Sequence, residues 1–225
     1  LYEVPQIGRK RVEKIRESWE RQKEIKNVML FLQSYGVSTA YAAKIYREYG
    51  SESIDKVREN PYRLADDIWG IGFKTADGIA GKMGYGKNDA RRCRSGILYT
   101  LGQLSDEGHV YAEREQLVQA ACTLLEADAA PVCEALERMI LSEELITERE
   151  AIYLPAFYHA ECGAARRLKE LAESAGRTLF TTELDPGVLT AETGIDYDDV
   201  QLAAIRQAVT SKVIVLTGGP GTGKT

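Results

Sequence analysis

The sequence has few of the residues that build metal centres or covalent cross-links. It contains four cysteines and two histidines in 225 residues. No two cysteines have the C-x-x-C spacing that zinc sites use. A disulfide framework is not expected either, because such frameworks belong to small secreted domains. We therefore expect no metal centre built from these residues, and we interpret Cys93, Cys122, Cys133 and Cys162 as buried free thiols.

Long apolar runs are also missing. No stretch approaches the roughly 18 uninterrupted apolar residues of a membrane-spanning helix. The first residues, LYEVPQIGRKR, lack the apolar core of a secretory signal. They begin inside a repeated motif, so we interpret the N-terminus as a cut end. These absences exclude membrane and secreted classes, and we expect a cytoplasmic protein.

Positive charge is scarce in the second part of the chain. Residues 1–100 carry 19 Lys and Arg against 13 Asp and Glu, whereas the remaining residues carry 10 against 21. An excess of basic residues on one part of a chain favours contact with a polyanion there. We therefore place any nucleic-acid contact in the first hundred residues.

A ten-residue pattern occurs three times in the first eighty residues. The copies are QIGRKRVEKI (6–15), GVSTAYAAKI (36–45) and GIGFKTADGI (70–79). Each has Ile or Val at its second position, Gly or Ser at its third, and Ile at its end. The starts lie 30 and 34 residues apart, about the length of two helices with their connections. The pattern predicts a helix, a tight turn and a second helix in each copy.

The repeat resembles the helix-hairpin-helix, a motif that binds the DNA backbone without reading sequence. A turn of this kind leaves backbone N–H groups open at a helix N-terminus, where a phosphate oxygen can bind. The middle copy departs from the motif, because Ser38 replaces the second glycine and Ala40 stands where the other copies have lysine. We expect the outer copies to bind phosphate and the middle copy to be mainly structural. The predicted DNA-binding residues are Gly8, Lys10, Gly70, Gly72 and Lys74.

The acidic middle of the chain predicts a winged-helix-like domain at 89–157. Three helices are expected at about 89–107, 114–126 and 131–142, followed by strands at 144–148 and 151–155. A winged helix that binds DNA presents a basic helix, but the candidate here is rich in glutamate. We interpret this domain as a spacer or a protein-docking module. Residues 158–195 are expected to form a linker helix, ended by Gly176, and a turn-rich hinge around Asp185-Pro186-Gly187.

The last residues carry the most specific motif of the sequence. KVIVLTG (212–218) is predicted to be a buried strand. It leads into a full match to G-x-x-x-x-G-K-[ST], in which backbone N–H groups cradle phosphates. In that motif Lys224 bridges the β- and γ-phosphates as the catalytic residue, and the Thr225 hydroxyl is a Mg²⁺ ligand. The predicted phosphate-binding residues are Gly218, Gly219, Pro220, Gly221, Thr222, Gly223, Lys224 and Thr225.

A helix upstream of this loop, YDDVQLAAIRQAV, carries Gln201. A Gln-x-x-Ala-Ile helix that ends just before a phosphate-loop strand resembles the adenine-reading Q motif of superfamily 1 helicases. Its amide can both donate to and accept from the adenine edge. With the repeats and NPYRLADDIWGIGFKTAD upstream, the whole chain resembles the long-N-terminal branch of RecD-like helicases.

The resemblance implies an ATP-dependent 5′→3′ DNA helicase of recombination or repair, with ATP and Mg²⁺ as cofactors. It also implies DNA as substrate, a recombination or repair protein as partner, and a RecA-like domain beginning near residue 196. The expected fold is mainly α, with tandem helix-hairpin-helix repeats, a winged-helix-like domain with a small β-hairpin, and the first strand of a RecA-like α/β domain. The predicted segments are 1–30 (partial repeat and connecting helix), 31–88 (tandem repeats), 89–157, 158–195 and 196–225.

The helix that should follow the phosphate loop is missing, so we expect residues 1–225 alone neither to hydrolyse ATP nor to bind it tightly. Two other functions remain open. The repeats and the acidic domain could be a scaffold that docks onto recombination proteins. The loop could also belong to another phosphate-loop DNA motor, such as a conjugative relaxase-helicase.

Overall fold

The computed structural model describes residues 9–174, 185–219 and 221. The chain divides into two compact units, Leu1–Phe157 and Tyr158–Thr225. Among the described residues the structure is mainly helical, with one small antiparallel sheet. The predicted fold class is confirmed in these respects.

The first unit begins with five helices and continues with three helices and three short strands. The helices of its first part are α1 (Arg9–Ser34), α2 (Thr39–Tyr49), α3 (Ser53–Glu59), α4 (Arg63–Asp67) and α5 (Phe73–Lys82). A 3₁₀ turn, Gly50–Glu52, joins α2 to α3. The second part contains α6 (Ala90–Asp106), β1 (Tyr111–Glu113), α7 (Arg114–Leu125), α8 (Ala129–Leu141), β2 (Ile146–Glu148) and β3 (Ala151–Tyr153).

Two helical hairpins form where the sequence repeats. In the middle hairpin, α1 and α2 flank the turn 36–38; in the third hairpin, α4 and α5 flank the turn 70–72. Both turns start with a glycine in the left-handed region, with φ of 81° at Gly36 and 93° at Gly70. A residue with a Cβ would be strained there by about 1–2 kcal/mol, which explains why glycine opens both turns.

The two hairpins share one hydrophobic core. Two pairs of equivalent positions lie in this core, Val37 with Ile71 and Ile45 with Ile79. Ala42 and Ala76 are also both buried, but only Ala42 belongs to this core. Val28 and Leu32 from α1 and Val57 from α3 complete the centre of this core. The middle and third copies of the repeat therefore pack against each other.

The N-terminal copy is packed differently from the other two. Gly8 lies outside the described residues, and the segment after it is the beginning of α1, which continues without interruption into the middle hairpin. Val12 is buried like its counterparts Ala42 and Ala76, but Ile15 is 39% exposed, whereas Ile45 is fully buried. The shared pattern therefore does not give this copy the same packing.

A second core joins the third hairpin to the acidic domain. It contains Phe73, Ala76 and Ala80 of α5 together with residues of α6, α7, α8 and the sheet. Since Ile79 of the same helix lies in the first core, α5 packs into both. The segments 31–88 and 89–157, which the sequence separates, meet across this helix.

The acidic domain has the predicted order of three helices and a terminal hairpin. Strands β2 and β3 pair antiparallel around a turn at Arg149, whose φ is 57°. Strand β1 adds to the other edge of β3, which gives the order β1-β3-β2. The pairing of β1 with β3 is not predicted from the sequence, because residues about 40 positions apart leave no local signal.

The interpretation of the cysteines as buried is wrong for two of them. Cys93 is buried and Cys122 is partly buried, but Cys133 and Cys162 are exposed. Cys133 follows the buried Val132 on α8 and precedes the buried Ala135, so helical periodicity turns it to the solvent side.

The second unit contains α9 (Pro155–Glu173, which begins in the first unit), α10 (Pro186–Thr193) and α11 (Asp199–Thr210). The turn expected at Asp185-Pro186-Gly187 is instead the start of α10, and a hinge in this segment stays a prediction. The Asp185 carboxylate accepts a hydrogen bond from the Gly187 amide at 2.8 Å, and Pro186 occupies the first helical position. Asp-Pro is a helix start here rather than a turn. Gly176, the expected end of α9, lies outside the described residues.

The predicted strand at 212–218 is not formed. Val215 is 81% exposed and Leu216 is 53% exposed, and no strand is assigned to this segment. A buried parallel strand depends on hydrogen-bonded neighbours and on helices that cover it, and none of the described residues of the second unit forms another strand. None of the helices that the structure describes is long and apolar enough to cross a membrane.

Candidate nucleic-acid interface and nucleotide-binding segment

The turn of the third hairpin presents open backbone donors at the N-terminus of α5. Gly72 precedes the helix in an extended conformation, and its carbonyl accepts from the Thr75 and Ala76 amides. No acceptor within the described part of the chain faces the amides of Phe73 and Lys74. Donors of this kind at a helix N-terminus suit an anion. Lys74 is exposed in the first turn of the same helix, where its ammonium adds positive charge.

Side chains from α2 hold this turn from the other hairpin. The Tyr41 hydroxyl donates to the Gly70 carbonyl at 3.0 Å, and the Lys44 ammonium donates to the Trp69 carbonyl at 3.2 Å. The Lys44 Nζ atom also lies 5.5 Å from the centre of the Trp69 ring. These two hydrogen bonds hold the turn against α2. They also place Lys44 beside the turn, in addition to Lys74.

The turn of the middle hairpin differs in its helix cap and in its nearest lysine. The Ser38 hydroxyl accepts from the Tyr41 amide at 3.3 Å, so a side chain takes one of the donors that start α2. Ala40 brings no charge. A Cβ placed on Gly36 would lie 2.0 Å from the Nζ atom of Lys82, so a lysine from the end of α5 covers this turn.

Each turn is therefore accompanied by a lysine that comes from the other hairpin. Lys44 of the middle hairpin lies at the third turn, and Lys82 of the third hairpin lies at the middle turn. Neither residue is among those predicted from the sequence. Lys82 follows the end of its repeat window. Lys44 aligns with Lys14 in the first copy and with Gly78 in the third, so the alignment does not show that it lies at the third turn.

A network of buried and half-buried polar groups fastens the third hairpin to the acidic domain. Asp77 on α5 accepts two hydrogen bonds from the Arg92 guanidinium, at 2.7 and 2.8 Å, and one from the Tyr62 hydroxyl at 2.9 Å. Arg92 also donates to the Leu125 carbonyl at the end of α7, at 2.6 Å. One arginine therefore links α5, α6 and α7.

The network changes the acidity of its members. Burial raises the pKa of Asp77, but the hydrogen bonds from Arg92 and Tyr62 and the charge of Arg92 outweigh burial, so its pKa is lower than usual. Burial and the bond to Asp77 raise the pKa of Tyr62. Asp77 is therefore ionised and Tyr62 is neutral at physiological pH.

Much of the basic charge near residue 90 is used inside the protein. Arg91 pairs with Asp89 and donates to the Glu59 carbonyl, and Arg94 pairs with Asp66 and Glu144. Arg91, Arg92 and Arg94 all belong to the excess of basic residues in the first hundred positions, which, from the sequence alone, we interpret as a sign of polyanion binding. Their contacts are structural instead. Among the described residues, the basic side chains that remain open to a ligand include those of the turns and of α1.

Helix α1 carries a dense set of basic side chains. From Lys10 to Arg21 all of its described residues except Val12 are exposed, and the described part of the chain shows no ion pair that involves them. Lys10, predicted to bind phosphate, lies on this exposed part. Its position fits the prediction, and the contact itself stays a prediction.

Residues 21–111 match the family model of the helix-hairpin-helix domain of ATP-dependent RecD2 DNA helicases. This range begins in α1, contains both hairpins and ends at β1. Residues 21–111 of this chain are therefore similar to a RecD2-type helix-hairpin-helix domain. It is also similar over 99% of its length to the ATP-dependent RecD2 DNA helicase of Deinococcus radiodurans, with 26% identity. The chain spans 33% of the length of that relative.

The N-terminal copy of the repeat lies outside the match to the RecD2-type domain, which begins at residue 21. This agrees with its different packing along α1. The two hairpins that share a core are the ones that the family model includes. The DNA contacts assigned to Gly8 and Lys10 therefore have less structural support than those at Gly70, Gly72 and Lys74.

The exposed face of α8 is acidic, as the sequence indicates. Glu134 pairs with Arg138 on the same helix, and Glu137 pairs with Arg114 of α7. Leu141 at the end of the helix is 83% exposed. Such a face offers a phosphate chain no net attraction, so the hairpins are the better candidate for the DNA contact.

Gln201 takes part in a helix cap. Its Oε1 atom accepts from the Asp198 amide at 3.1 Å, and an Asp198 carboxylate oxygen accepts from the Val200 and Gln201 amides at 2.8 Å. This reciprocal pair is a capping box, and the spacing Asp-x-x-Gln could have predicted it. The cap occupies the Oε1 atom of Gln201. Recognition of adenine, as predicted, would require both this oxygen and the side-chain NH₂ group.

The phosphate-binding residues are described only in part. Gly218 and Gly219 are included, and Gly221 has a φ of 76°, a conformation that glycine adopts readily. Pro220, Thr222, Gly223, Lys224 and Thr225 lie outside the described residues. The assignment of the catalytic lysine and of the Mg²⁺ ligand therefore remains a prediction from the sequence motif.

Proposed function

We propose that this chain is the DNA-binding and nucleotide-binding part of an ATP-dependent 5′→3′ DNA helicase that acts in recombination or repair. The observation that carries the proposal is the turn of the third hairpin. It places two open amides, an exposed lysine and a second lysine from α2 together, in a domain that matches the RecD2 family.

The turn suits contact with a DNA backbone rather than with base edges. Amides at a helix N-terminus and mobile lysines bind phosphate oxygens and carry no sequence information. A motor that moves along DNA needs contacts of this kind, because it must release and bind again at every sequence. In this proposal the outer copies bind the strand, and the middle hairpin supports the third one.

The ATPase part of the proposal rests on the motif from Gly218 to Thr225 and on the relative's name. Lys224 would neutralise the β- and γ-phosphates, Thr225 would bind Mg²⁺, and Gln201 would hold the adenine. For Gln201 to pair with adenine through both amide atoms, it would have to leave the Asp198 amide. Nucleotide binding would then loosen the start of α11.

The DNA contact is tested with the double substitution Lys10→Ala and Lys74→Ala in the 225-residue chain. Each lost phosphate contact lowers the slope of log affinity against log salt concentration by about 1. We expect weaker binding of all DNA sequences and a slope reduced by about 2, measured by fluorescence anisotropy. The double substitution Arg166→Ala and Lys169→Ala, at exposed positions of α9, removes two positive charges elsewhere and serves as the control.

An unchanged affinity and slope in the double variant would favour the alternative function, a scaffold that docks onto recombination proteins. The acidic face of α8 and its exposed Leu141 would then be the first surface to test. The motor itself is tested in the helicase that carries this chain. Lys224→Ala should abolish ATP-dependent unwinding of duplexes with a 5′ overhang while leaving DNA binding intact.

A further inference from the structure

Trp69 is the most exposed large apolar side chain among the described residues. It is 92% exposed and lies directly before Gly70 in the turn of the third hairpin. A single exposed apolar residue is ordinary on a protein surface, so exposure alone carries no conclusion. Its position next to the predicted phosphate site is what calls for an explanation.

The equivalent residue of the middle hairpin shows that the turn does not require this exposure. Tyr35 precedes Gly36 as Trp69 precedes Gly70, but Tyr35 is half-buried and packs edge-on against Phe31 at 5.1 Å between ring centres. An aromatic side chain at this position can therefore pack against its own hairpin. Trp69 does not.

The backbone beneath Trp69 is held firmly. Its carbonyl accepts from Lys44, the next carbonyl accepts from Tyr41, and the Ile71 amide donates to the Ile68 carbonyl at 3.0 Å. Ile68 and Ile71, on either side, are buried in the core of the hairpins. The indole is thus presented to solvent from an anchored turn rather than from a free loop.

The surroundings of the ring suit a nucleic acid. The Lys44 ammonium lies 5.5 Å from the ring centre, and the open amides of α5 begin four residues further on, with Lys74 beside them. A strand whose phosphate binds those amides would bring its neighbouring base near the indole. Stacking of a base on an aromatic side chain tolerates any sequence, since every base has a π-face.

We infer that Trp69 stacks on an unpaired base beside the phosphate bound by the third hairpin. The hairpin then prefers single-stranded or junction DNA over uninterrupted duplex, in which the bases are stacked on one another. This inference rests on the proposed DNA contact and adds to it a residue that distinguishes the form of the DNA.

The chain provides its own reporter, because Trp19 and Trp69 are its two tryptophans. In the Trp19→Phe variant the indole fluorescence comes from Trp69 alone. We expect an oligothymidine strand to quench it and a blunt duplex of equal length to leave it almost unchanged. Trp69→Ala should weaken binding of the oligothymidine by about 5- to 100-fold and of the duplex by less than about 2-fold. Trp19→Ala, which removes the other exposed indole, is the matched control.

Lys74→Ala separates the failure of this inference from the failure of the proposed function. If Lys74→Ala weakens both forms of DNA, but Trp69→Ala leaves binding unchanged or weakens both equally, the backbone contact stands and the stacking is refuted. If neither substitution changes binding, both proposals fall. Circular dichroism melting of each variant checks that the hairpins remain folded, as the exposure of both side chains predicts.

Discussion

The middle and third hairpins have the same backbone plan but different surroundings. Both begin their turn with a left-handed glycine and bury the same three positions of the repeat. The middle hairpin caps its second helix with Ser38, has Ala40 where Lys74 stands in the third, and packs Tyr35. The third hairpin leaves its amides open, exposes Trp69 and is tied to the acidic domain through Asp77. Repetition of the core residues therefore preserves the fold, while changes around the turn decide what each copy can bind.

The largest expected effect comes from Asp77, whose equivalent in the middle hairpin is Ala43. Asp77→Asn removes the charge that pairs with the nearly buried Arg92, and it should lower the free energy of unfolding by about 1.5–3 kcal/mol. Urea unfolding at pH 7 measures the change. Asp55→Asn, an exposed carboxylate on α3, should cost much less.

The same substitution has a defined pH dependence. The pKa of Asp77 is lowered in the folded state, so its ionised form stabilises the fold above the unfolded-state pKa of about 4, and this contribution is lost as pH falls through the folded-state pKa. The gap between the parent chain and Asp77→Asn should therefore shrink in acid. A gap of equal size at pH 7 and pH 2 would contradict this role of the charge.

An intermediate effect is expected from giving the middle hairpin the lysine that it lacks. Ala40→Lys should raise DNA affinity about 2- to 5-fold at low salt and steepen the salt dependence by about 1 in slope, as for one added phosphate contact. Anisotropy titrations at several salt concentrations measure both. Ala120→Lys, an exposed position on α7, adds the same charge away from the turns. Equal gains in the two variants would show that the turn makes no specific use of the lysine.

The smallest effect concerns the helix caps. Ser38→Gly makes the middle turn like the third and should cost a few tenths of a kcal/mol, whereas Gly72→Ser makes the third turn like the middle and should gain a similar amount. Gly72 has an ordinary negative φ, and a Cβ there would meet no atom within 4 Å. Thermal melting should show shifts of about 1 °C in opposite directions. A large loss from Gly72→Ser would mean that the two turns are not equivalent in backbone geometry.

Local sequence patterns predict the hairpins well, because the buried positions of each repeat are visible as regularly spaced apolar residues. The apolar positions of each copy recur with helical spacing, so Val37, Ile71 and their partners are recognisable as core positions from the amino-acid sequence alone. Asp89 as the cap of α6 is predictable for the same reason, since the cap and its helix are adjacent in sequence.

Contacts between distant residues cannot be predicted in this way. Lys82 reaches Gly36 and Arg92 reaches Asp77 through the ends of long side chains, and neither pair has a sequence signature. The basic excess of the first hundred residues therefore overestimates the charge that is free to bind a ligand. The strand at 212–218 is predicted from composition alone, but a buried strand forms only when neighbouring strands supply its hydrogen bonds.

Helix α5 has one face in each of the two cores of the first unit. Rotation of this helix would disrupt the packing of Ile79 in one core and the packing of Ala76 and Ala80 in the other. If the proposed contact with DNA is made, force on a DNA strand bound at residues 70–74 would therefore be transmitted through α5 to α6 and the sheet of the acidic domain.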